Sequence, residues 1–598
     1  MRRRECIDPE LAQTIPELFQ CRVQYAADAV AYRYFDDGCA QWKTLTWQQI
    51  SQCVRQWQAA FQRESLTAGD RVAVMIPNSP RWVMFDQAAL AMGLVVVPLY
   101  LADRAENIAY ILQHSGAKLL LLNGSEQWQR LQGMHAQLNG LIRILSIKPL
   151  HDPRSNNLMS IKTWLIGSTT TLINHHVQAD DLASIVYTSG TTGHAKGVML
   201  SHRNMLHNAW AGIQHIRVYS DDVFLSFLPL SHTLERTVGY YLPMMAGAQV
   251  AYARSIPQLA EDLGIIKPTV IITVPRIFER IYEKMSLKIN QRSPFIQRLF
   301  TYAVDVGWHY FLYHQGQARW HPSLLLRPFL QSVVGRGVLQ AMGGRMRFAI
   351  SGGAALNVEL SRTFIALGLH IQQGYGLTEN SPVISVNPIH GNRPASVGSP
   401  LDGTLVKLDE KQELLVKGLS VMLGYWNDKD ATKAAITHDG WLRTGDLVRI
   451  DEYGHLYITG RLKDIIVLSN GEKICPLDME SMLMLDPAIA QAVVIGEGRP
   501  YLAALLVISE TEKAKWQGKL AVNETLLQYV PMQKKMLKCA QQATREFPAY
   551  AKIRRVIVAT TPWSIENKLL TPTLKQRRQH IIAFYKDGID ALYRLRKK

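Results

Sequence analysis

Residues 183–202 read ASIVYTSGTTGHAKGVMLSH, a short apolar run followed by a loop rich in glycine and hydroxyl side chains. The apolar run is typical of a buried strand, which gives the loop a rigid start. Glycine allows a positive φ and a close approach of the backbone to a ligand, and the loop glycines are Gly190, Gly193 and Gly197. The hydroxyl residues of the loop are Thr188, Ser189, Thr191 and Thr192. Together with the mobile positive charge of Lys196, they predict a loop that binds a polyphosphate.

The order of residues in this loop differs from that of a P-loop NTPase. A P-loop has a Gly-Lys-Ser/Thr sequence at the start of a helix. Here Ala195 precedes the lysine, and residues 197–200 continue as a second apolar strand. The sequence therefore indicates a different kind of nucleotide loop. A surface hairpin rich in Ser, Thr and Gly is the alternative that these residues alone leave open.

Size and composition describe a globular protein of more than one domain. The chain has 598 residues, of which 47% are hydrophobic and 19% are charged, and a single hydrophobic core does not extend over so long a chain. The formal net charge of +17 favours anionic partners such as a nucleotide, coenzyme A or an anionic membrane surface. No zinc-finger or RNA-recognition pattern is present, so we expect no nucleic-acid partner.

The cysteines and the N-terminus indicate a reducing compartment. The six cysteines form no CxxC pair and no spacing typical of metal ligands, which is the pattern of free thiols. No apolar segment follows the basic start at residues 1–8, so we expect no secretory signal. Two uncharged stretches, 87–102 and 237–253, are shorter than the roughly 20 residues of a membrane span, and we interpret them as buried helix–strand units. The predicted location is the cytoplasm, with peripheral contact at the inner face of the cytoplasmic membrane left open.

Helical and apolar strand segments alternate along most of the chain. A helix over 47–61 and a strand over 71–76 begin this pattern, which predicts a large α/β domain with parallel-rich sheets and a β-rich part. Further apolar strands are expected at 348–351 and, after a short polar bridge, at 465–468. The compact mixture of strands and helices after the bridge predicts a smaller α+β lid domain. The expected domains are 1–462 and 463–598, with a hinge near Lys463.

Residues 286–347 form a distinct segment within the larger domain. They contain eight Lys or Arg residues, nine aromatic residues and a single acidic residue, Asp305. Basic side chains interleaved with aromatic ones on helices suit the headgroup level of a bilayer. The alternative is a partly buried helical insertion with a basic face toward solvent.

Further motifs follow the glycine-rich loop along the chain. They are Leu228-Pro-Leu-Ser-His-Thr-Leu-Glu235, Ser351-Gly-Gly-Ala-Ala355, Gln373-Gly-Tyr-Gly-Leu-Thr-Glu379, Gly440-Trp-Leu-Arg-Thr-Gly-Asp446, Gly460-Arg-Leu-Lys-Asp464, Ser469-Asn-Gly471 and Glu566-Asn-Lys-Leu-Leu-Thr-Pro-Thr-Leu-Lys575. From about residue 20 onward, the chain resembles the AMP-forming adenylate synthetases, the superfamily of acyl-CoA ligases, luciferases and peptide-synthetase adenylation domains. The first and last of these motifs are most similar to those of long-chain fatty acid–CoA ligases. His194 departs from the proline that this family usually has in the loop.

The resemblance implies a site for the phosphates of ATP. Lys196 and the loop hydroxyls would hold the β- and γ-phosphates, and Thr378 would contact the α-phosphate. Glu379 and Thr191 would bind Mg²⁺, a hard cation that prefers oxygen ligands. The other implied loop contacts are Thr188, Ser189, Gly190, Thr192 and Gly193. A plain surface carboxylate is the alternative for Glu379.

The resemblance also implies a site for adenosine. Its residues would be Gly352, Gly353, Tyr375, Gly376, Asp446 and Arg461. Gly352 and Gly353 would let the backbone lie against adenine, while the ring of Tyr375 stacks on the base. The aspartate would accept both ribose hydroxyls, and the arginine would be a second sugar or phosphate contact. The alternatives are a core aromatic for the tyrosine and an ion pair at the domain junction for Asp446 and Arg461.

The remaining implied roles belong to the lid and the acyl site. Lys575 would stabilise the α-phosphate in the closed state, with Lys568 as a competing candidate because the long-chain branch usually has glycine there. Lys463 would be the hinge, and Gly471 would line the passage for pantetheine. His232 would gate the acyl site, although a hydrogen-bonded core histidine is the alternative.

These observations lead to one predicted activity. A carboxylate that attacks the α-phosphate of ATP needs positive charge and hydrogen-bond donors around two anions, but no covalent nucleophile. We therefore predict an ATP- and Mg²⁺-dependent ligase that converts a medium- or long-chain fatty acid into acyl-AMP and then acyl-CoA. The alternatives are a fatty acyl-AMP ligase that serves a carrier protein, and a catalytically silent membrane-associated homologue. A homodimer is left open.

Overall fold

The computed structural model describes residues 6–153, 155–168, 176–188, 195–516, 530–571 and 575–594. Within these residues the strands form five sheets, of nine, eight, four, three and two strands.

Helices and strands alternate in the first part of the chain, as predicted. The elements are α1 (Ile15–Ala26), β1 (Val30–Asp36), β2 (Gln41–Thr46), α2 (Trp47–Gln62), β3 (Arg71–Met75), α3 (Pro80–Ala91), β4 (Val95–Pro98), α4 (Ala105–Ser115), β5 (Ala117–Leu122), α5 (Ser125–Leu131), α6 (His135–Leu138), β6 (Arg143–Ser146), β7 (Leu158–Ser160), α7 (Ile161–Trp164) and β8 (Leu182–Thr188).

The middle of the chain continues the alternation and then becomes richer in strands. Its elements are β9 (Lys196–Ser201), α8 (His202–His215), β10 (Val223–Ser226), α9 (Thr233–Arg236), α10 (Leu242–Ala246), β11 (Gln249–Tyr252), α11 (Leu259–Ile266), β12 (Val270–Thr273), α12 (Pro275–Asn290), α13 (Pro294–His314), α14 (Arg327–Leu330), α15 (Arg336–Ala341), β13 (Phe348–Ser351), α16 (Val358–Ala366), β14 (Ile371–Gly376), β15 (Val383–Val386), β16 (Ser399–Pro400), β17 (Leu405–Leu408), β18 (Glu413–Lys417), β19 (Gly424–Tyr425), α17 (Lys429–Ala435), β20 (Leu442–Ile450) and β21 (Leu456–Arg461).

The last part of the chain is a mixture of short strands and helices. Its elements are β22 (Ile466–Val467), β23 (Lys473–Ile474), α18 (Pro476–Leu483), β24 (Ile489–Ile495), β25 (Leu502–Ile508), α19 (Glu510–Trp516), α20 (Val530–Ala543), β26 (Ile553–Ala559), α21 (Arg578–Phe584) and α22 (Lys586–Tyr593). The strand expected over 465–468 is only the two-residue β22, because it pairs with β23 through a tight turn in which Gly471 has a φ of +86°.

The eight-stranded sheet contains the strand that leads into the glycine-rich loop. Its order is β19-β9-β8-β4-β3-β5-β6-β7, and all strands from β8 to β7 are parallel. Strands β3 and β4 are almost completely buried, which explains why they have continuous apolar sequences. Strand β9 returns antiparallel to β8, as the apolar residues after the loop predict.

The nine-stranded sheet has the order β16-β15-β14-β13-β12-β10-β11-β1-β2. Its strands from β14 to β1 are parallel, and antiparallel strands complete both edges. A buried ion pair, in which Arg236 Nη2 lies 2.5 Å from Asp86 Oδ1, links α9 to α3. Since a buried charge without its partner is costly, this pair fixes the position of α9 and of the residues just before it.

The remaining sheets lie in the C-terminal third of the chain. The order β17-β18-β20-β21 forms an antiparallel sheet, and β24-β25-β26 form a three-stranded sheet with hydrophobic clusters of its own on both faces. Among the described helices, none is long and apolar enough to cross a membrane. The uncharged stretches 87–102 and 237–253 are mostly buried in the core, as predicted. The six cysteines all lie in the described part of the chain, and none forms a disulfide.

Candidate active site

A cavity of about 690 Å³ lies where the carboxyl ends of parallel strands from both large sheets come together. It is lined by residues at or just beyond the ends of β4, β8, β13 and β14, namely Pro98, Thr188, Gly352 and Gly376. This is the position at which open parallel sheets bind ligands. Lys575 from the last part of the chain also lines the cavity.

A hydrogen-bonded group at one side of the cavity joins three predicted adenosine contacts. The Tyr375 hydroxyl donates to Asp446 Oδ2 at 2.6 Å, and Arg461 Nε donates to Asp446 Oδ1 at 2.7 Å. Asp446 and Arg461 are directly opposite each other in the antiparallel pair β20–β21. Burial, and next the charge of Asp446, raises the pKa of Tyr375 well above its usual value, so the phenol keeps its proton and remains a donor. Asp446 itself is buried, while Arg461 faces the open cavity.

The predicted glycines contribute in different ways. Gly353 has a φ of +81°, and a Cβ there would have only Val274 as a near neighbour, at 3.7 Å, so this backbone is open to a ligand. A Cβ on Gly352 would lie 3.2 Å from the Leu234 side chain. A Cβ on Gly376 would lie 2.0 Å from the carbonyl oxygen of Pro382. Glycine at position 376 is therefore required by the close pairing of β14 with the following chain, whatever its contact with a nucleotide.

The predicted metal ligand is held by a tyrosine that sequence reasoning missed. The Tyr425 hydroxyl donates to Glu379 Oε1 at 2.8 Å, and Lys196 Nζ lies 5.0 Å from the centre of the Tyr425 ring. Thr378 Oγ1 lies 3.4 Å from Thr233 Oγ1. Pairing of β19 with β9 brings the tyrosine to this position. In the sequence, the signal was Gly424-Tyr-Trp426, a glycine followed by two aromatic residues. In the structure, Gly424 has a φ of +140°.

Tyr425 offers a direct test of how Glu379 is positioned. We expect Tyr425→Phe to raise the Mg²⁺ concentration for half-maximal ATP–pyrophosphate exchange about tenfold, since a hydrogen bond to a charged group is lost while the ring remains beside Lys196. The matched control is Tyr457→Phe, which removes a hydroxyl that donates to Asp451 Oδ2 at 3.1 Å and lies outside the cavity lining. An unchanged Mg²⁺ requirement in the first variant would contradict the positioning role.

Lys575 enters the cavity from a short, well-anchored segment. Its backbone nitrogen donates to Thr571 Oγ1 at 3.0 Å, and its carbonyl oxygen accepts from Thr571 N at 2.8 Å. Arg578 holds the same segment, with Nη2 2.5 Å from Glu480 Oε1. Lys568 is exposed and is not among the residues that line the cavity.

Lys575 is an exposed residue that lines the cavity. Desolvation, and next the charge of Arg461, lowers its pKa, while Asp446 and Glu379 act in the opposite direction. Lys575 therefore lies within electrostatic reach of Arg461, Asp446 and Glu379. A bound phosphate would add negative charge and favour the protonated ammonium group.

His232 is half-buried and lines the cavity. Its Nδ1 accepts a hydrogen bond from Leu234 N at 3.1 Å and so caps α9. Burial, and next the charge of Lys575, lowers the pKa of His232 to about 4, so the imidazole is neutral at physiological pH. The residue is thus hydrogen-bonded, as the core-histidine alternative expects, and it also lines the cavity. Its role as a gate of the acyl site stays a prediction.

One end of the cavity is assigned to the apolar residues of its lining. This end is lined by side chains or backbone of Gly212, Ile216, Leu234, Val238, Leu242 and Val386. Asn208 is a polar residue at this end, and its side-chain amide is hydrogen-bonded to the backbone of Val383. Nδ2 donates to the Val383 carbonyl oxygen at 2.7 Å, and Oδ1 accepts from the Val383 amide at 3.1 Å. Sequence reasoning missed these residues, because they come from several separate elements and no motif marks them.

The structure does not bring every predicted residue to the cavity. Lys463 lines it, but Gly471 lies in an exposed turn and is absent from the lining. Ser189, Gly190, Thr191, Thr192 and Gly193 lie outside the described residues. Thr188 and Lys196, at the two ends of the loop, both line the cavity.

Comparison with known proteins gives the family. A family model described as AMP-binding enzyme matches residues 19–426, and one described as AMP-binding enzyme C-terminal domain matches residues 463–597. The chain is 30% identical to a long-chain-fatty-acid–CoA ligase of Mycobacterium bovis, FadD15, over 95% of this chain and 94% of that protein. It is 28% identical to a long-chain-fatty-acid–[acyl-carrier-protein] ligase of Arabidopsis thaliana, AEE15, over 97% and 87% of the two chains. The solved structure of ATP-bound MatB from Rhodopseudomonas palustris is similar with a TM-score of 0.71 at 22% identity, covering 97% of this chain and 100% of that one.

The two parallel-rich sheets, the smaller C-terminal part and the cavity between them define an adenylate-forming enzyme fold. The chain belongs to the AMP-binding enzyme family.

Proposed function

We propose that this protein activates a medium- or long-chain fatty acid with ATP and transfers it to coenzyme A, releasing AMP and pyrophosphate. The observation that carries this proposal is that Lys575, Lys196, Glu379 and Arg461 line one cavity, which is also lined by a group of apolar residues that includes Ile216, Val238 and Leu242. The cationic part suits a triphosphate, and the apolar part suits an alkyl chain. The relatives named as long-chain-fatty-acid–CoA ligases support the same activity.

The first half-reaction joins two anions, so its barrier depends on charge compensation. A carboxylate oxygen attacks the α-phosphorus of ATP, the new O–P bond forms, and the bond to the β-phosphate oxygen breaks as pyrophosphate leaves. Lys575 and Thr378 compensate the charge at the α-phosphate, while Lys196 and the loop residues 188–193 hold the leaving group. Asp446 holds the ribose, and Tyr375 stacks against adenine.

The residues present suit a single Mg²⁺ that is shared with ATP. Among the described residues, no group of three or more His, Cys, Asp or Glu side chains could hold a metal by itself. Glu379 nevertheless presents a carboxylate at the phosphate end of the cavity, and Mg²⁺ is commonly bound by one or two carboxylates together with substrate phosphates and water. Glu379 and Thr191 would hold the ion, which would neutralise phosphate charge when bound.

The second half-reaction requires a different arrangement of the lid. Coenzyme A thiolate attacks the acyl carbonyl carbon, and AMP leaves. We propose that domain 463–598 rotates against domain 1–462 about Lys463, which removes Lys575 and brings Gly471 toward the cavity. The exposed position of Gly471, with open space around it, is compatible with this role.

One experiment separates the proposed activity from its alternatives. A series of acids is assayed for AMP release with and without coenzyme A, and the thioester product is identified. Acyl-CoA formation from fatty acids is the expected result. Acyl-AMP that accumulates with coenzyme A present but transfers to an acyl carrier protein would favour the carrier-protein ligase, an activity for which a relative is named. Absence of ATP–pyrophosphate exchange with every acid would favour a non-catalytic homologue.

Gly212 is expected to limit the length of the acyl chain. It lines the apolar end, and a Cβ there would lie 3.1 Å from Leu242 Cδ1. We expect Gly212→Leu to lower kcat/KM for the longest acids at least about tenfold and to leave short acids unaffected, because the added side chain occupies the distal space. The control is Gly264→Leu in α11, which has no neighbour within 4 Å. Equal losses for all chain lengths would contradict this assignment.

The proposal also includes the surroundings in which the enzyme works. A water-insoluble substrate and a net charge of +17 support a cytoplasmic enzyme with peripheral contact at the inner, anionic face of the cytoplasmic membrane. Sedimentation velocity at assay concentrations tests for the homodimer that the sequence leaves open.

A further inference from the structure

Exposed large hydrophobic side chains are concentrated in one region of the molecule. Of the 26 exposed in the described chain, 11 lie between Leu287 and Val333. A soluble monomer seldom exposes apolar side chains in such a concentration unless they serve an interaction. We call the exposed side chains of residues 287–336 the basic-aromatic face.

Helix α13 forms the centre of this face and is anchored by its buried residues. A Cβ on Gly307 would lie 2.1 Å from the carbonyl oxygen of Ala366 in α16, so the two helices are in very close contact. Ala303 and Val306 pack against Leu330. The outer positions Phe295, Tyr302 and Tyr313 are exposed, and their spacings of seven and eleven residues place them on one side of the helix.

A second apolar stripe lies on the segment that covers α13. Leu324 and Leu330 point inward and are buried, whereas Leu325, Phe329 and Val333 are exposed. All three lie in the helical turns over 322–335. Leu325 and Phe329 are 74% and 63% exposed, and Phe295 is 74% exposed. The segment is thus amphipathic with its outer side apolar, the reverse of an ordinary surface helix.

The charges around these stripes have one sign. Six exposed basic residues surround them: Lys288, Arg292, Arg298, Arg319, Arg336 and Arg345. In the part of the chain that the structure describes, none of the six takes part in an ion pair. The only acid of the segment, Asp305, is paired with Arg362 at 2.8 Å. The basic-aromatic face therefore presents positive charge beside exposed apolar groups.

We propose that the basic-aromatic face is a docking surface for an anionic phospholipid bilayer. Aromatic and leucine side chains would enter the headgroup–acyl boundary, and the arginines would contact lipid phosphates. A second copy of the chain is a poorer occupant, because a two-fold contact through this face would bring like charges together. The inference deepens the proposed function, since it identifies the part of the enzyme that meets the membrane from which a fatty acid substrate is drawn.

The test is flotation of the full-length protein with vesicles of phosphatidylcholine alone or mixed with phosphatidylglycerol. One variant, Phe295→Ser/Leu325→Ser/Phe329→Ser, removes the most exposed apolar groups of the face. Another, Arg292→Glu/Arg298→Glu, reverses part of its charge. The control, Ile166→Ser/Leu405→Ser/Tyr453→Ser, removes side chains of similar exposure, 73%, 59% and 62%, elsewhere on the surface. Circular dichroism and ATP–pyrophosphate exchange with a water-soluble acid confirm that each variant is folded and active.

The wild type and the control should float with phosphatidylglycerol vesicles, and less so as salt is raised. The triple serine variant should partition at least about tenfold more weakly, because three large apolar groups are lost. The charge variant should lose its preference for phosphatidylglycerol. Equal binding by all variants, or a wild-type dimer that becomes monomeric in the serine variant without any vesicle binding, would overturn the inference. Vesicle binding by a protein that forms no acyl-CoA would refute the proposed activity but not the docking surface.

Discussion

Lys575→Ala is expected to reduce acyl-adenylate formation by about two to three orders of magnitude, the usual effect of removing a group that stabilises transition-state charge. Lys575 lines the cavity together with Lys196 and Arg461, and it comes from the C-terminal part of the chain. Thioester formation from supplied acyl-AMP should remain close to wild type, because the α-phosphate is no longer attacked in that step. The measurements are ATP–pyrophosphate exchange for the first step and acyl-CoA formation from acyl-AMP for the second.

Lys568→Ala is the matched control for this prediction. Lys568 belongs to the same motif, but it is exposed and lies outside the cavity lining, so its loss should leave both steps nearly unchanged. The first step should also recover partly in Lys575→Arg, which keeps the charge but not the shape of the ammonium group. Equal loss of both half-reactions in Lys575→Ala would show that the lysine does not act selectively on adenylation.

Asp446→Ala is expected to raise the KM for ATP about 10- to 100-fold, in line with the loss of hydrogen bonds to a charged group. The ribose would lose its carboxylate acceptor, and both Tyr375 and Arg461 would lose the partner that orients them. The KM for the fatty acid should change much less. Initial rates at varied ATP, with acid and coenzyme A saturating, measure the effect.

Two further measurements separate nucleotide binding from a structural ion pair. Tyr375→Phe removes one hydrogen bond to Asp446 but keeps the ring that would stack on adenine, so it should raise the KM for ATP only slightly. Thermal unfolding of Asp446→Ala shows how far the fold depends on the carboxylate. A lower unfolding temperature with unchanged ATP saturation would mean that Asp446 and Arg461 form only a structural pair.

Much of the fold was predictable because its sheets are parallel and buried. Strands such as β3 and β13 consist almost entirely of apolar residues, which are needed when both faces of a sheet are covered, so their positions were predicted to within one or two residues. The short strand β22 was predicted too long, because its pairing with β23 depends on a turn rather than on hydrophobic periodicity. Strand pairing over long sequence separations, such as β1 beside β11, had no local signal.

The candidate site was predictable where single motifs carry the chemistry. Lys196 and Glu379 were selected because charged residues beside glycine-rich turns suit phosphate and metal binding, whereas Lys575 was implied by the family resemblance. All three line one cavity. Tyr425 and the apolar residues around Gly212 were not predicted. Their contribution depends on packing between elements that are far apart in the chain, and a phenol or a methyl group has no distinctive sequence pattern.

The amino-acid sequence by itself determined the α/β class of fold, the family and the chemical groups available to a nucleotide, because backbone propensity and side-chain charge are local properties. Only the tertiary structure decided that Tyr425 holds Glu379, that Lys575 rather than Lys568 faces the cavity, and that residues 287–336 turn apolar side chains outward. Each of these depends on which surfaces meet after the chain has folded. That choice is made by packing and desolvation over the whole molecule.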